Sequence, residues 1–168
     1  EMLASAAWEN TVRLWRVSDG KLLKGLVGPT GYLKSVAFSP DSKTVAAGSS
    51  DGQVWLWRAE DGEVLDALTG HTGTVNSVAF SRVGELLASG SEDGTVQLWR
   101  TTDWKALDSL QGEEEELSSV KSVTFSLDGK LLASGLGNGT VQLWQVEDRA
   151  LLTTLAGHTE VVMSVAFS

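Results

Sequence analysis

His71, Ser89 and Asp93 fall within one stretch, GHTGTVNSVAFSRVGELLASGSEDGTVQLWR at 70–100, and are the three residue types of a hydrolytic triad. In such a triad the Ser oxygen attacks, the His takes its proton and the Asp holds the imidazole. The competing reading is structural: a buried His needs both ring nitrogens satisfied, and Ser89 and Trp99 offer the groups to do it. Gly135, Gly137 and Gly139 have the spacing of a phosphate-binding loop, but they sit in a strand-to-strand hairpin with no helix after it, so turn chemistry accounts for them. Glu113 to Glu116 form an acidic run without the alternating ligands and turn Gly of a calcium loop. That run reads as a solvated loop or as an attractor of a basic partner segment. The absence of cysteine removes disulfides, thiolate zinc sites and thiol nucleophiles. No catalytic residue, metal ligand or cofactor is therefore assigned.

The elements that must position these residues recur along the chain. Leu-Trp pairs at Leu14/Trp15, Leu56/Trp57, Leu98/Trp99 and Leu143/Trp144 step by 42, 42 and 45 residues. Phe-Ser pairs at Phe38/Ser39, Phe80/Ser81, Phe125/Ser126 and Phe167/Ser168 step by 42, 45 and 42, so one three-residue insertion between Gly112 and Val120 explains both irregular steps. A period of this length marks stacked supersecondary units, none able to bury its apolar faces alone.

Each unit reads as four short strands, a to d. In the third copy Val75 to Phe80 alternates apolar and polar residues, Glu85 to Ser91 follows a turn at Gly84, and Thr95 to Arg100 alternates again after Asp93-Gly94. That dipeptide predicts a tight primed hairpin turn. Lys105 to Leu110 makes the fourth and outermost strand. Strand b, at Met2 to Ala6, Thr44 to Gly48 and Leu131 to Gly135 in the other copies, is the most apolar and suits cover on both faces. Strand d is expected at Lys21 to Leu26, Glu63 to Leu68 and Ala150 to Leu155, and a closing strand a at Val162 to Phe167.

Composition bounds the function. At 168 residues, 42% hydrophobic and 21% charged, with mean hydropathy near zero, the chain has the profile of one soluble domain. No apolar run approaches the roughly 20 residues of a membrane helix. A net charge of -9 argues against nucleic acid or an anionic membrane as partner, because both select clustered Lys and Arg. Lack of cysteine suits a cytoplasmic location. Beginning at Glu1 inside a strand b and ending at Ser168 after a strand a, the chain reads as a fragment, a processed product or an engineered piece.

The Gly-His pairs at Gly70/His71 and Gly157/His158, the Ala-Ser-Gly-Ser run at Ala88 to Ser91 and the recurrent Trp resemble the WD-repeat β-propeller family over the whole chain. The Asp that closes the family's Trp-Asp pair is replaced by Arg16, Arg58, Arg100 and Gln145. The resemblance implies an all-β propeller of four-stranded antiparallel blades with strand a innermost. Units follow as strands b, c and d of a first blade at 1–31, blades at 32–73, 74–115 and 116–160, and a closing strand at 161–168. It also implies that His71, Ser89, Asp93 and Trp99 form a structural hydrogen-bond tetrad. The second blade has Pro29 and Ala47 for the His and Ser, and the fourth has Glu113 for the His and Asn138 for the Asp, so both should be less rigid than the third. A composite tetrad of His158, Ser5, Glu9 and Trp15 needs the closing strand to join the first blade.

Four blades of this kind would make a strained ring. The expectation is therefore a homodimer: two copies, each giving Val162 to Phe167 to the other's N-terminal blade, complete an eight-bladed ring with no exposed inner edge.

Family members often bind partners on the face made by the loops before strand a and between strands b and c. Trp8, Tyr32, Lys34, Asn76, Glu92, Lys121 and Met163 map there, and Trp8 stands where the other copies have Ser50, Glu92 and Gly137. An exposed Trp beside Tyr or Met is the composition of an interface anchor, and packing on a neighbouring chain is the other use of such a residue. The expected function is a non-catalytic scaffold for a protein or peptide partner. The alternatives are a half-propeller whose main property is self-assembly, and a hydrolase at the channel mouth.

Overall fold

The computed structural model describes residues 1–83, 85–112 and 118–168. The run Glu113 to Glu116 and the turn residue Gly84 lie outside them. The described residues form fifteen strands and no helix. β1 (Met2–Ala6), β2 (Thr11–Arg16) and β3 (Leu22–Val27) make a three-stranded sheet. β4 (Leu33–Phe38) to β7 (Val64–Leu68) follow as a four-stranded sheet through β5 (Thr44–Ser49) and β6 (Val54–Arg58). β8 (Val75–Phe80), β9 (Leu86–Ser91), β10 (Val96–Arg100) and β11 (Ala106–Leu110) make the next, and β12 (Val120–Phe125), β13 (Leu131–Leu136), β14 (Thr140–Gln145) and β15 (Leu151–Ala156) the last. Within each sheet every strand pairs antiparallel with its chain neighbour, so each sheet is a meander; the three four-stranded ones have strand a at one edge and strand d at the other.

The outer strands start one residue later than alternation alone predicts. The last pair of each meander carries a bulge at the Leu-Trp step, at Leu14/Trp15, Leu56/Trp57, Leu98/Trp99 and Leu143/Trp144. A bulge inserts an extra residue and shifts the register beyond it. The b to c turn also differs from expectation. The Gly94 amide bonds the Ser91 carbonyl at 3.2 Å, and of Asp93 and Gly94 only Gly94 has positive φ, at 83°. A two-residue primed turn on this pair would need positive φ at Asp93, alone or with Gly94.

Apolar surface is buried between sheets. One cluster joins Val12, Leu14 and Leu26 of the first sheet to Leu33, Val45 and Trp57 of the second. A second packs Leu56 and Leu68 against Val75, Leu87 and Trp99, and a third packs Leu98 and Leu110 against Val120, Leu132 and Trp144. β5, β9 and β13 are covered on both faces and buried at all but their first residue, whereas β1 alternates between half-buried and exposed.

Successive inner strands are stitched by one repeated bond. The Val78 amide donates to Ser35 Oγ at 3.1 Å, the Val123 amide to Ser77 Oγ at 3.1 Å and the Val165 amide to Ser122 Oγ at 3.3 Å. The next sheet's inner strand also packs so close to strand b that a Cβ on Gly48 of β5 would come within 2.7 Å of the Val75 carbonyl oxygen. Segment 161–168 lies against the fourth sheet in this inner position, its Val162 amide bonding the Leu136 carbonyl at 3.0 Å, yet it belongs to no sheet. The expected closing strand is thus placed but unpaired, and β1 has no strand on its inner edge.

Candidate interaction face

The third sheet builds the tetrad. β9 presents Ser89, the turn after it presents Asp93, β10 presents Trp99, and the loop before β8 brings in His71. His71 Nε2 lies 2.8 Å from Ser89 Oγ and Nδ1 lies 2.9 Å from Asp93 Oδ2, while Trp99 Nε1 donates to Ser89 Oγ at 2.8 Å. Burial pushes the Asp93 carboxyl up, but the Thr95 hydroxyl, the Thr72 and Thr95 amides and the neighbouring His71 outweigh it and hold the carboxyl below its usual range.

The distances are those of a triad, and the surroundings are not. Ser89 is 0% exposed and its oxygen already accepts the indole N–H, so no substrate carbonyl can reach it. A nucleophile must meet its electrophile at about 3 Å. The three residues act as a clamp tying the loop before β8 to β9 and β10.

The other sheets vary the network. In the second, Ala47 leaves the Trp57 indole without a hydroxyl, and Trp57 Nε1 donates instead to the Val27 carbonyl of the preceding sheet at 3.0 Å. Its neighbour Trp55 stacks on Trp57 with centroids 6.3 Å apart. In the fourth, Trp144 Nε1 donates to Ser134 Oγ at 3.1 Å and Asn138 Oδ1 accepts from Thr140, as Asp93 does from Thr95. Glu113, the fourth sheet's substitute for the His, lies outside the described residues. In the first sheet Trp15 Nε1 donates to Ser5 Oγ at 2.8 Å and Glu9 pairs with Arg13 at 2.5 Å, while the His158 carbonyl lies against the Gly139 turn of the fourth sheet. The single chain therefore joins Ser5 to Trp15 and keeps His158 apart from both.

The face at the b to c turns carries the exposed chemistry. Trp8 is 78% and Tyr32 56% exposed, and their rings stack with centroids 6.5 Å apart. Lys34 Nζ sits 5.0 Å from the Trp8 ring centroid. Exposed aromatics held in contact by each other and by a cation have already lost much of their side-chain freedom. Glu92 and Lys121 pair at 3.7 Å on the same face. Asn76 is half-buried, and its Nδ2 donates to the Val120 carbonyl at 3.0 Å, so it serves the join between sheets more than the surface. Met163 is 71% exposed. Sequence reasoning placed these residues on one face, but it missed that positions 8 and 34 are the same pair as 92 and 121. The signal was there in the repeats, had b to c turn residues been matched with the next copy's strand a.

Trp104 stands where the other c to d turns have Gly20, Gly62 and Arg149, and all four have positive φ. Its ring packs beside the cluster between the second and third sheets, which keeps an aromatic in a left-handed turn position.

Four sheets in meander order, the first packed on the second through an apolar cluster and the next three stitched along their inner strands, are consecutive blades of a propeller. The profile of the IFT122 first beta-propeller family matches residues 1–168. The chain belongs to this family. As a WD-repeat propeller chain it is similar to the small ribosomal subunit protein RACK1 of Caenorhabditis elegans, 36% identical over 52 residues. It is also similar to the MST50-interacting protein 11 of Pyricularia oryzae and to the small ribosomal subunit protein RACK1 of Neurospora crassa, each 37% identical over 51 residues. These stretches cover 31%, 30% and 30% of this chain, and 16% of each relative. WD-repeat propellers typically mediate protein interactions, and in this family member the described residues include no helix long and apolar enough to cross a membrane.

Proposed function

We propose that this propeller chain is a non-catalytic protein-binding module whose contact surface centres on Trp8, Tyr32 and Lys34. The observation that carries this reading is the stacked, solvent-facing Trp8–Tyr32 pair with a lysine ammonium over the indole. Buried Trp side chains in the other sheets have packing and hydrogen-bonding roles; Trp8 has neither a hydroxyl partner nor a core around it. Large exposed aromatics of this kind become energetic anchors when a partner covers them. A peptide segment offering an apolar or aromatic side chain to the rings and a carboxylate to Lys34 fits the surface. The name of one relative, an MST50-interacting protein, describes protein binding and agrees with this reading.

Selection of peptides from a random display library against the chain tests it. Selected peptides should lose about thirtyfold in affinity for Trp8→Ala, equivalent to about 2 kcal/mol, with an unchanged melting temperature. Equal affinity for the variant and the wild type would place the binding surface elsewhere.

A further inference from the structure

The turns from strand a to strand b follow one pattern in the second and fourth sheets. Asp41 accepts the Ser39 hydroxyl at 2.6 Å and the Lys43 amide at 3.0 Å, and Asp128 accepts those of Ser126 and Lys130 at 2.6 and 3.1 Å. The third sheet departs from it: Val83 replaces the Asp, Arg82 stands where the others have Pro40 and Leu127, and Glu85 where they have Lys43 and Lys130. Ser81 donates to the Val83 carbonyl instead. The c to d turn of the same sheet departs as well, with Thr101 for Ala59 and Val146 and Trp104 for Gly62 and Arg149. Residues that recur in every blade serve its folding, and these five do not recur.

All five line one cavity of about 370 Å³ between the second and third sheets. It lies at the a to b and c to d turns, the ends of the blades opposite to the b to c turn that carries Trp8. Ligand sites occupy roughly 300–1,000 Å³. Both sheets have four strands and a packed sheet on either side, so complete blades set the shape of this cavity.

Its outer rim is anionic and aromatic. The Thr101 amide bonds the Glu85 carbonyl at 2.9 Å, which sets Glu85 beside the c to d turn that carries Trp104. Trp104 is half-buried, packed on the cluster between the two sheets while it lines the cavity. The Glu85 carboxylate has no ion pair or hydrogen bond among the described residues. Asp41 adds a second carboxylate from the preceding sheet: the Ser39 hydroxyl and the Lys43 amide both go to its Oδ1 and hold it ionised, below its usual range, and Oδ2 has no partner among the described residues. Two cations of the c to d turn, Arg100 and Lys105, are taken by Asp103 at 3.3 and 3.9 Å. Arg82 is exposed and also borders a second hollow beside Thr124 and Phe125 of β12, so it stands on the inner rim.

We propose that this cavity takes a basic side chain, an arginine or lysine of a protein partner, with its aliphatic stem along Pro40 and Leu86 and its cation between the Trp104 ring and the carboxylates of Asp41 and Glu85. An aromatic face and a carboxylate are the two groups that hold such cations best. The net charge of -9 steers a basic partner toward the chain. An acidic side chain would meet two carboxylates for one guanidinium. The site is separate from the Trp8 face, and the two stand or fall independently.

The test uses variants that take a residue another sheet already has in the same place: Trp104→Gly as at Gly62, Glu85→Lys as at Lys43 and Arg82→Leu as at Leu127. All are made in the Trp8→Ala chain, which lacks the other face's anchor. The probe is an array of peptides with one fixed central residue and random flanks, read at about 0.15 M salt so that long-range charge is screened. Arginine- and lysine-centred peptides should bind on the order of tenfold better than glutamate-centred ones. Trp104→Gly and Glu85→Lys should each remove that preference, while Arg82→Leu should keep or strengthen it. The Trp104 indole N–H resonance should shift with an arginine-centred peptide, and that of Trp57, bonded to the Val27 carbonyl, should not. Equal binding of basic and acidic peptides, a preference for acidic ones that Arg82→Leu removes, or a basic preference that survives Trp104→Gly and Glu85→Lys would overturn the proposal.

Discussion

Lys34 meets Trp8 at the same two repeat positions where Lys121 meets Glu92. In each case a b to c turn residue of one blade faces the second strand-a residue of the next, at 5.0 Å from the ring centroid in one and 3.7 Å between charges in the other. The scaffold thus offers one lysine site that an indole or a carboxylate can answer. Where it is a carboxylate the charge is neutralised locally; where it is an indole the ammonium stays available and a large apolar face is added.

The equivalence predicts that Trp8→Glu folds normally, since Glu92 already occupies that position. Exposed ion pairs contribute about 0–1 kcal/mol, so chemical denaturation should differ by no more than that. Peptide affinity should fall more than tenfold. A large loss of stability would instead make Trp8 a structural residue.

The buried clamp predicts unequal costs for one substitution. Ser89→Ala leaves both His71 Nε2 and the Trp99 indole N–H without a partner, and each orphaned buried group costs about 1–3 kcal/mol. Ser134→Ala orphans the Trp144 indole. Denaturant midpoints should show Ser89→Ala as the more damaging, and equal losses would contradict the clamp. Amide exchange should likewise be slowest in β9 and β10.

Asp93 predicts a pH dependence with a definite sign. Its carboxyl is held below the usual range in the folded chain, so it contributes stability that is present above the ordinary Asp value of about 3.9 and is lost as pH falls through the lower folded value. The stability gap between wild type and Asp93→Asn, measured by urea titration, should be largest near neutral pH and shrink below about pH 4. A gap that widens in acid would refute the assignment.

Ser42 has φ of 59°, and Gly129 holds the same turn position at 68°. Glycine adopts this region without the steric cost that a Cβ adds, about 1 kcal/mol. The exposed Ser42→Gly variant should therefore melt a few degrees higher. No gain would mean that the Ser side chain offsets its own strain.

Much of this was legible in the sequence. The period of 42, the Leu-Trp and Phe-Ser pairs and the apolar b strands fix blade order, because each reflects a face that only a neighbouring sheet can bury. Strand d starts were misplaced, since a bulge changes register without changing hydrophobic pattern. At Asp93-Gly94 the Gly takes positive φ as the dipeptide implies, but Asp93 does not, and only its backbone decides that the turn is not a primed one. The tetrad followed from residue types and the family pattern; its solvent exclusion, which separates a clamp from a nucleophile, needed the packing around Ser89. Trp8 stood out by its mismatch with the other copies, but its stack on Tyr32 and the lysine above it depend on side-chain positions across two blades.

Indole N–H resonances of the seven Trp residues, followed by NMR while a selected peptide is added, test the binding surface most directly. The Trp8 signal should move, and those of Trp57, Trp99 and Trp144, whose N–H groups are bonded within or between blades, should stay in place. A peptide that binds without shifting Trp8 would contradict the account.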